Sequence, residues 1–247
     1  MTTNLVAVAI ERLSKSYGTT PALQNLQMEV RRGEIVALVG PNGAGKTTAL
    51  KLMAGLLAPT SGSVRLAGYD VHQQPLEAKR YLSFVPDQPF LYEQLTIAEL
   101  LAFMGGVYRL DPALVVSRAN ALLALFDVAP LASHRIGALS YGMKSRVALI
   151  ISLLHEPQVL LMDEPFFGLD PQTLRLIKRL LRDRAQEGMA IILSTHQLPI
   201  VEDIADRIAI MNHGRVVAMG TLSELRTQHG GYTLEELFFD LTGDSRV

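Results

Sequence analysis

The chain has no cysteine, which excludes disulfides and thiolate-metal sites and is compatible with a cytoplasmic location. It has no surplus of charge either: 23 Lys and Arg face 24 Asp and Glu, for a net charge of −1. No polybasic field is available to hold nucleic acid or an anionic membrane by charge alone. Long apolar runs are missing too. A run such as Val147 to Leu154 falls far short of the ~20 residues needed to span a bilayer. The start, Met1 to Ile10, lacks the basic opening of a signal peptide and meets Glu11 and Arg12 at once. Low-complexity stretches are absent, and 49% of the 247 residues are hydrophobic. The expectation is a soluble globular chain with a substantial core and no membrane span of its own, free to dock on a membrane protein.

What is present is organised around one glycine-rich turn. Gly40, Pro41, Asn42, Gly43, Ala44, Gly45, Lys46, Thr47 and Thr48 follow the apolar run Ile35 to Val39. The glycines let the backbone fold tightly enough to aim successive N–H groups at one point. A helix expected from about Lys46 adds its positive dipole end to the same point. Lys46 can reach the terminal phosphates of a nucleotide, and Thr47 offers a hydroxyl to Mg²⁺. Such a loop is a phosphate cradle.

The remaining pattern is one of strands alternating with helices. Leu5 to Leu13, Leu23 to Val30, Ile35 to Val39, Ser63 to Leu66 and Leu82 to Val85 read as strands. Helical spacing then takes over in Thr96 to Tyr108, Pro112 to Phe126 and Met143 to Leu154, a helical insertion between two strand-bearing halves. Val159 to Met162 is wholly apolar, as a central parallel strand should be. Helix Pro171 to Glu187, strand Ala190 to Leu193, a short helix Pro199 to Ala205 and strands Arg207 to Met211 and Arg215 to Met219 follow. An Asn212-His213-Gly214 turn joins the last two strands. The tail from Thr221 is amphipathic and helical. The fold class expected is α/β: a parallel core in 1–86 and 156–220, with an antiparallel portion from the opening strands. A helical subdomain occupies about 87–155 and a short tail 221–247.

Two further clusters belong with the phosphate cradle. Asp163 and Glu164 fall just past a buried strand, where α/β sheets bind ligands. Asp163 suits a Mg²⁺ shell, and Glu164 suits polarising an attacking water. Leu139 to Met143 places a Ser-x-Gly turn at a helix start, which is itself an anion site. The histidines at 72, 134, 155, 213 and 229 lack metal-ligand spacing and read as surface or structural residues.

With these residues in place the chain resembles an ATP-binding cassette (ABC) ATPase over nearly its whole length, with a P-loop NTPase core of the RecA type. Gly40 to Thr48 is similar to the Walker A motif, Leu139 to Met143 to the ABC signature, and Leu160 to Glu164 to Walker B. Gly168 to Asp170 resembles the D-loop, Ser194 to His196 the switch histidine, and Tyr17 stands where the family stacks an aromatic on adenine. There are two departures. Tyr141 and Met143 replace Gly and Gln in the family's usual Leu-Ser-Gly-Gly-Gln, while Ser140 and Gly142 are retained. Asp87 takes the place of the Q-loop glutamine and Gln88 follows it; which of the two contacts Mg²⁺ or the water stays open.

The resemblance implies ATP hydrolysis with Mg²⁺, held by Thr47 and Asp163 with Asp87 or Gln88 sensing it. It further implies Glu164 as base or water orienter, His196 on the γ-phosphate, and Asp170 coupling two sites. Ser140 and Gly142 would complete the site of a second ABC ATPase subunit, identical or different, so that two chains sandwich two ATP. A transmembrane permease would be the other partner, with the chain on the cytoplasmic face of the membrane. The signature variant and short tail resemble bacterial drug, antibiotic and polysaccharide exporters. The alternative is a soluble single-cassette ABC ATPase, such as those of iron–sulfur assembly. The signature and switch histidine exclude a generic P-loop kinase or GTPase.

Overall fold

The computed structural model describes residues 5–243. The readings on residues 1–4 and 244–247, the outer ends of the expected core and tail, lie outside the described residues.

The chain opens with a long antiparallel pair, β1 (Val6–Tyr17) and β2 (Thr20–Arg31). β3 (Ile35–Val39) then leads through the glycine-rich turn into α1 (Lys46–Met53). β4 (Ser61–Leu66) and the two-residue β5 (Tyr69–Asp70) complete a four-stranded sheet of order β2-β1-β4-β5. After the short α2 (Pro75–Lys79), β6 (Leu82–Val85) enters a second sheet. The helices α3 (Ile97–Val107), α4 (Pro112–Leu125) and α5 (Tyr141–Leu153) lie between β6 and β7 (Val159–Asp163). The chain continues through α6 (Pro171–Gln186), β8 (Ala190–Ser194), α7 (Leu198–Ile204), β9 (Arg207–Asn212) and β10 (Arg215–Gly220). It ends in α8 (Leu222–Gln228) and α9 (Leu234–Thr242). The six-stranded sheet has the order β10-β9-β3-β8-β7-β6. Its pairs are parallel except β9 with β10, whose turn places His213 and Gly214 at φ 47° and 76°, as a type I′ hairpin requires.

The apolar strands are apolar because both faces of the sheet are covered. Ile35, Ala37 and Val39 face one core while Val36 and Leu38 face another, and the same alternation runs along β7 and β8. The first core takes side chains from α3, α4, α5, α6 and α9, including Leu100, Leu123, Ile150, Ile177 and Leu237. The second takes Val8, Leu23 and Val64 of the antiparallel sheet and Leu50 and Met53 of α1. Each such aliphatic side chain contributes about 1.5–3 kcal/mol on burial.

Five elements differ from the sequence expectation. β1 runs on to Tyr17 instead of ending at Leu13, because bulges let it bend and keep pairing. Arg12 stands at φ 46° there, and its carbonyl lies 2.3 Å from where a Cβ on Gly62 would sit. α1 stops at Met53, not Leu57: Gly55 turns left-handed at φ 65° and the Leu56 N–H donates back to Lys51 O at 2.9 Å. The Gly68-Tyr-Asp turn is an edge strand, and α2 was not expected at all. α5 begins at Tyr141 rather than Met143, because Ser140 caps it, accepting the Met143 N–H at 3.3 Å.

Candidate functional site

Four neighbouring parallel strands, β3, β8, β7 and β6, end on the same edge of the sheet. Their carboxyl-terminal ends and the loops that follow deliver the glycine-rich turn, His196, Asp163 at the end of β7 with Glu164 after it, and Asp87. The turn itself is held down by close backbone approach. A Cβ on Gly40 would meet Met211 O at 2.3 Å, and one on Gly45, which stands at φ 99°, would meet Ala22 O at 2.6 Å. Gly45 is the residue just before α1, so the helix N-terminus opens directly into the cradle.

Lys46 is 8% exposed, and its Nζ donates to Gly40 O at 2.6 Å and Pro41 O at 3.1 Å. Burial lowers its pKa, opposed by the carboxylates of Glu164 and Asp163. Asp163 is 1% exposed. One of its oxygens accepts the Ser194 hydroxyl, and the other, Oδ2, is buried without a partner. A buried carboxylate oxygen left unmatched is costly, and the fit of a cation there is plain. Thr47 lines the same cleft. Among the described residues no three His, Cys, Asp or Glu side chains converge as a cation cage; one carboxylate, one hydroxyl and substrate phosphates are the donor set suited to Mg²⁺.

Glu164 sits at φ 47°, its N–H donating to Ser194 O at 3.1 Å. His196 Nδ1 lies 3.0 Å from Glu164 Oε2. The two atoms are close without the alignment of a hydrogen bond, and Oε2 is buried without a hydrogen-bond partner.

A cleft of about 400 Å³ is lined by Ala22, Asn42 to Thr48, Asp87, Asp163 and Glu164. A wider opening of about 600 Å³ adjoins it, lined by Asn42, Asp87, Gln88, Tyr141, Glu164 and His196 among others. Asp87 therefore faces both spaces, and Gln88 only the wider one. Tyr17, half exposed at the end of β1, lines neither. Ser140 and Gly142 also lie outside both. Asp170 is outside as well: it caps α6, accepting the N–H groups of Gln172 (3.0 Å) and Thr173 (2.9 Å) and the Thr173 hydroxyl (2.6 Å). These bonds from Thr173, with Arg146 3.1 Å away, hold its carboxyl far below the usual carboxylate range.

Four contributors are not legible in the sequence. Ala22 enters the cleft through its position in β2, and an alanine carries no motif. Arg146 pins Asp170, and Tyr141 hydrogen-bonds Asp87 O at 2.9 Å; both pairs are distant in sequence. The Ser194 hydroxyl lay within a motif singled out only for its histidine.

A glycine-rich cradle on a helix N-terminus, a buried lysine and strand-end carboxylates on a parallel sheet define a P-loop ATPase. A model of the ABC transporter family matches residues 23–167, and the chain belongs to that family. It is 34% identical over 92% of its length to the linearmycin resistance ATP-binding protein LnrL of Bacillus subtilis, spanning 73% of that protein. It is equally 34% identical over 91% to the doxorubicin resistance ATP-binding protein DrrA of Mycobacterium tuberculosis, spanning 69% of it. Across such relatives the chain spans from 42% to 96% of the partner's length. A solved ATP-binding subunit of an ABC transporter superposes with TM-score 0.91 at 36% identity, over 95% of this chain and 99% of that one. The protein is an ATP-binding, ATP-hydrolysing transport ATPase of this family.

Proposed function

We propose that the chain is the motor subunit of an exporter, closing around two ATP as a dimer and driving a separate transmembrane permease. The observation that carries the dimer is the placement of Ser140 and Gly142. The signature turn opens α5, and its Ser140 and Gly142 line neither space although Tyr141 between them borders the wider one, which supports their use by a second subunit. Export is supported by the relatives named for drug resistance and by a third, the Nod factor export ATP-binding protein I of Ralstonia nicotianae, 35% identical over 94% of the chain. The described residues hold no helix long and apolar enough to cross a membrane, so transport requires the permease. Residues 87–155 act as a helical arm carrying the signature, on the cytoplasmic face of the membrane.

The roles of the residues that face the cleft rest on its lining, and those of Asp170 and Tyr17, which do not face it, on family membership. Lys46 leaves the Gly40 and Pro41 carbonyls for the β- and γ-phosphates, while the N–H groups of Gly43 to Thr48 cradle them. Thr47 and Asp163 would hold Mg²⁺, and Asp87, facing the cleft, would sense it ahead of Gln88. Mg²⁺ bound there would supply neutralisation of phosphate charge. Glu164 takes the proton of the attacking water, and His196, beside it, contacts the γ-phosphate. Asp170 relays the state of one site to the other, and Tyr17 stacks on adenine.

The test is Glu164→Gln in the full chain, recovered from detergent-solubilised native membranes. ATP still binds, turnover falls on the order of 10²–10⁴-fold, an ATP-dependent dimer elutes on size exclusion, and a membrane-embedded protein accompanies it. A monomer that keeps hydrolysing overturns the role of Glu164. A soluble complex in place of a permease overturns the exporter.

A further inference from the structure

Tyr141 stands where the family's signature usually has glycine, and its side chain does something a glycine cannot. Its hydroxyl donates to the backbone carbonyl of Asp87 at 2.9 Å. Residues 86–91 make no other hydrogen bond to a segment outside their own loop among the described residues. Within the loop, the Asp87 carboxylate accepts the Gln88 N–H at 2.8 Å, which fixes side chain to backbone locally. Whatever fixes the Asp87 carbonyl therefore fixes the direction of its carboxylate.

The other end of Tyr141 is equally committed. A Cβ on Gly168 would lie 3.3 and 3.4 Å from Cε1 and Cδ1 of the ring, so the ring packs on that glycine, itself at φ 69°. Three loops meet at one side chain: the loop after β6 with Asp87, the loop after β7 with Gly168, and the start of α5. The ring also borders a narrow cavity with Pro86, Glu164 and Phe167, between the arm and the cleft.

We propose that Tyr141 is a positioning residue for hydrolysis, holding Asp87 over the P-loop cleft through its carbonyl and so offsetting the replacement of the Q-loop glutamine by a shorter aspartate. This rests on the reading of Asp87 as the group that meets Mg²⁺ or the water. Asp has one methylene fewer than Gln, so its carboxylate reaches the cleft only if the loop is held inward. The hydroxyl of Tyr141 is the group placed to hold it.

The experiment is a double-mutant cycle in the full-length chain with Tyr141→Phe and Asp87→Ala. Tyr141→Phe keeps the ring on Gly168 and removes one oxygen. Its ATP Kd and KM stay within about twofold, while kcat falls about 3- to 10-fold, the range one lost hydrogen bond produces. Amide exchange of the peptide spanning residues 86–92 accelerates several-fold. In the Asp87→Ala background the tyrosine substitution has no further effect on kcat, because the group it positions is gone. Unchanged exchange and unchanged kcat in Tyr141→Phe overturn the proposal. So does full additivity in the double variant, which would mean that Tyr141 acts at the partner's nucleotide instead. If Asp87→Ala alone leaves kcat at the wild-type value, the reading of Asp87 itself falls and takes the proposal with it; that outcome is distinguishable because the tyrosine variant is not needed to see it. Tyr141→Gly, restoring the family's common residue, gives the same kcat loss as Tyr141→Phe if the hydroxyl is what matters.

Discussion

Gly45 and Gly43, two residues apart in the cradle, differ in what each backbone is pressed against. Both have left-handed backbones, at φ 99° and 81°, but a Cβ on Gly45 would press to 2.6 Å from the Ala22 carbonyl, whereas one on Gly43 would meet open space. A left-handed non-glycine residue costs about 1–3 kcal/mol by itself. Gly43→Ala should show that much and little more in a denaturant midpoint. Gly45→Ala should lose more, since the clash is with backbone and the loop must move. ATP affinity should then fall more than tenfold, read by equilibrium binding, against a smaller loss for Gly43→Ala. The phosphate cradle was legible because its chemistry needs these residue types at fixed spacing in one local segment. Asp87 and Gln88 were not separable in the sequence. Their difference is one of direction, set by a tyrosine 54 residues away.

At the scale of elements, His155 shows what a pattern of spacing leaves out. It follows α5, and its ring lies face to face with Tyr108 at the end of α3, centroids 3.7 Å apart and planes 7° from parallel. Its Nε2–H donates to Leu82 O of β6 at 3.2 Å. The pair therefore joins two arm helices to the sheet. Burial pushes the His155 pKa down to about 4, with the nearby Arg118 guanidinium adding to it and the Leu82 bond opposing. Between the unfolded value near 6.5 and about 4 the unfolded chain binds the proton and the folded one does not. Stability thus falls as pH drops through that window, by an amount on the order of 1–3 kcal/mol, and is fully retained above it. His155→Phe, which keeps a ring against Tyr108, should flatten the difference between urea midpoints measured at pH 7 and pH 5. The sequence reads this histidine as surface or structural; the structure half-buries it with Nδ1 unpartnered, and its contacts come from residues far apart along the chain. The same limit explains β1 and β5. A bulge at Arg12 and a two-residue edge strand are decided by neighbouring strands, whereas β3, β7 and β8 were plain because burial on both faces leaves only apolar residues.

For the whole molecule, the shared sheet ties the two cores together. Every apolar residue of β7 belongs to one core or the other, Val159 and Leu161 to that of the antiparallel sheet and Leu160 and Met162 to that of the helices. Neither core can melt without stripping one face of the strands that form the other, so heating the nucleotide-free chain should give one cooperative transition. The nucleotide cleft hangs from the ends of those same strands, so ligand stabilisation should reach the entire transition. At ATP 100-fold above its Kd, with Mg²⁺, the native state gains about 2.7 kcal/mol, a rise in Tm of about 5–10 °C for a chain of this length. Removing Mg²⁺ with EDTA should cut that rise, because the buried Oδ2 of Asp163 is again unmatched. Asp163→Asn should show a rise that no longer responds to EDTA. Differential scanning calorimetry checks all three. Two separated transitions, with only one moved by ATP, would mean that the cores are independent and that the sheet does not couple them.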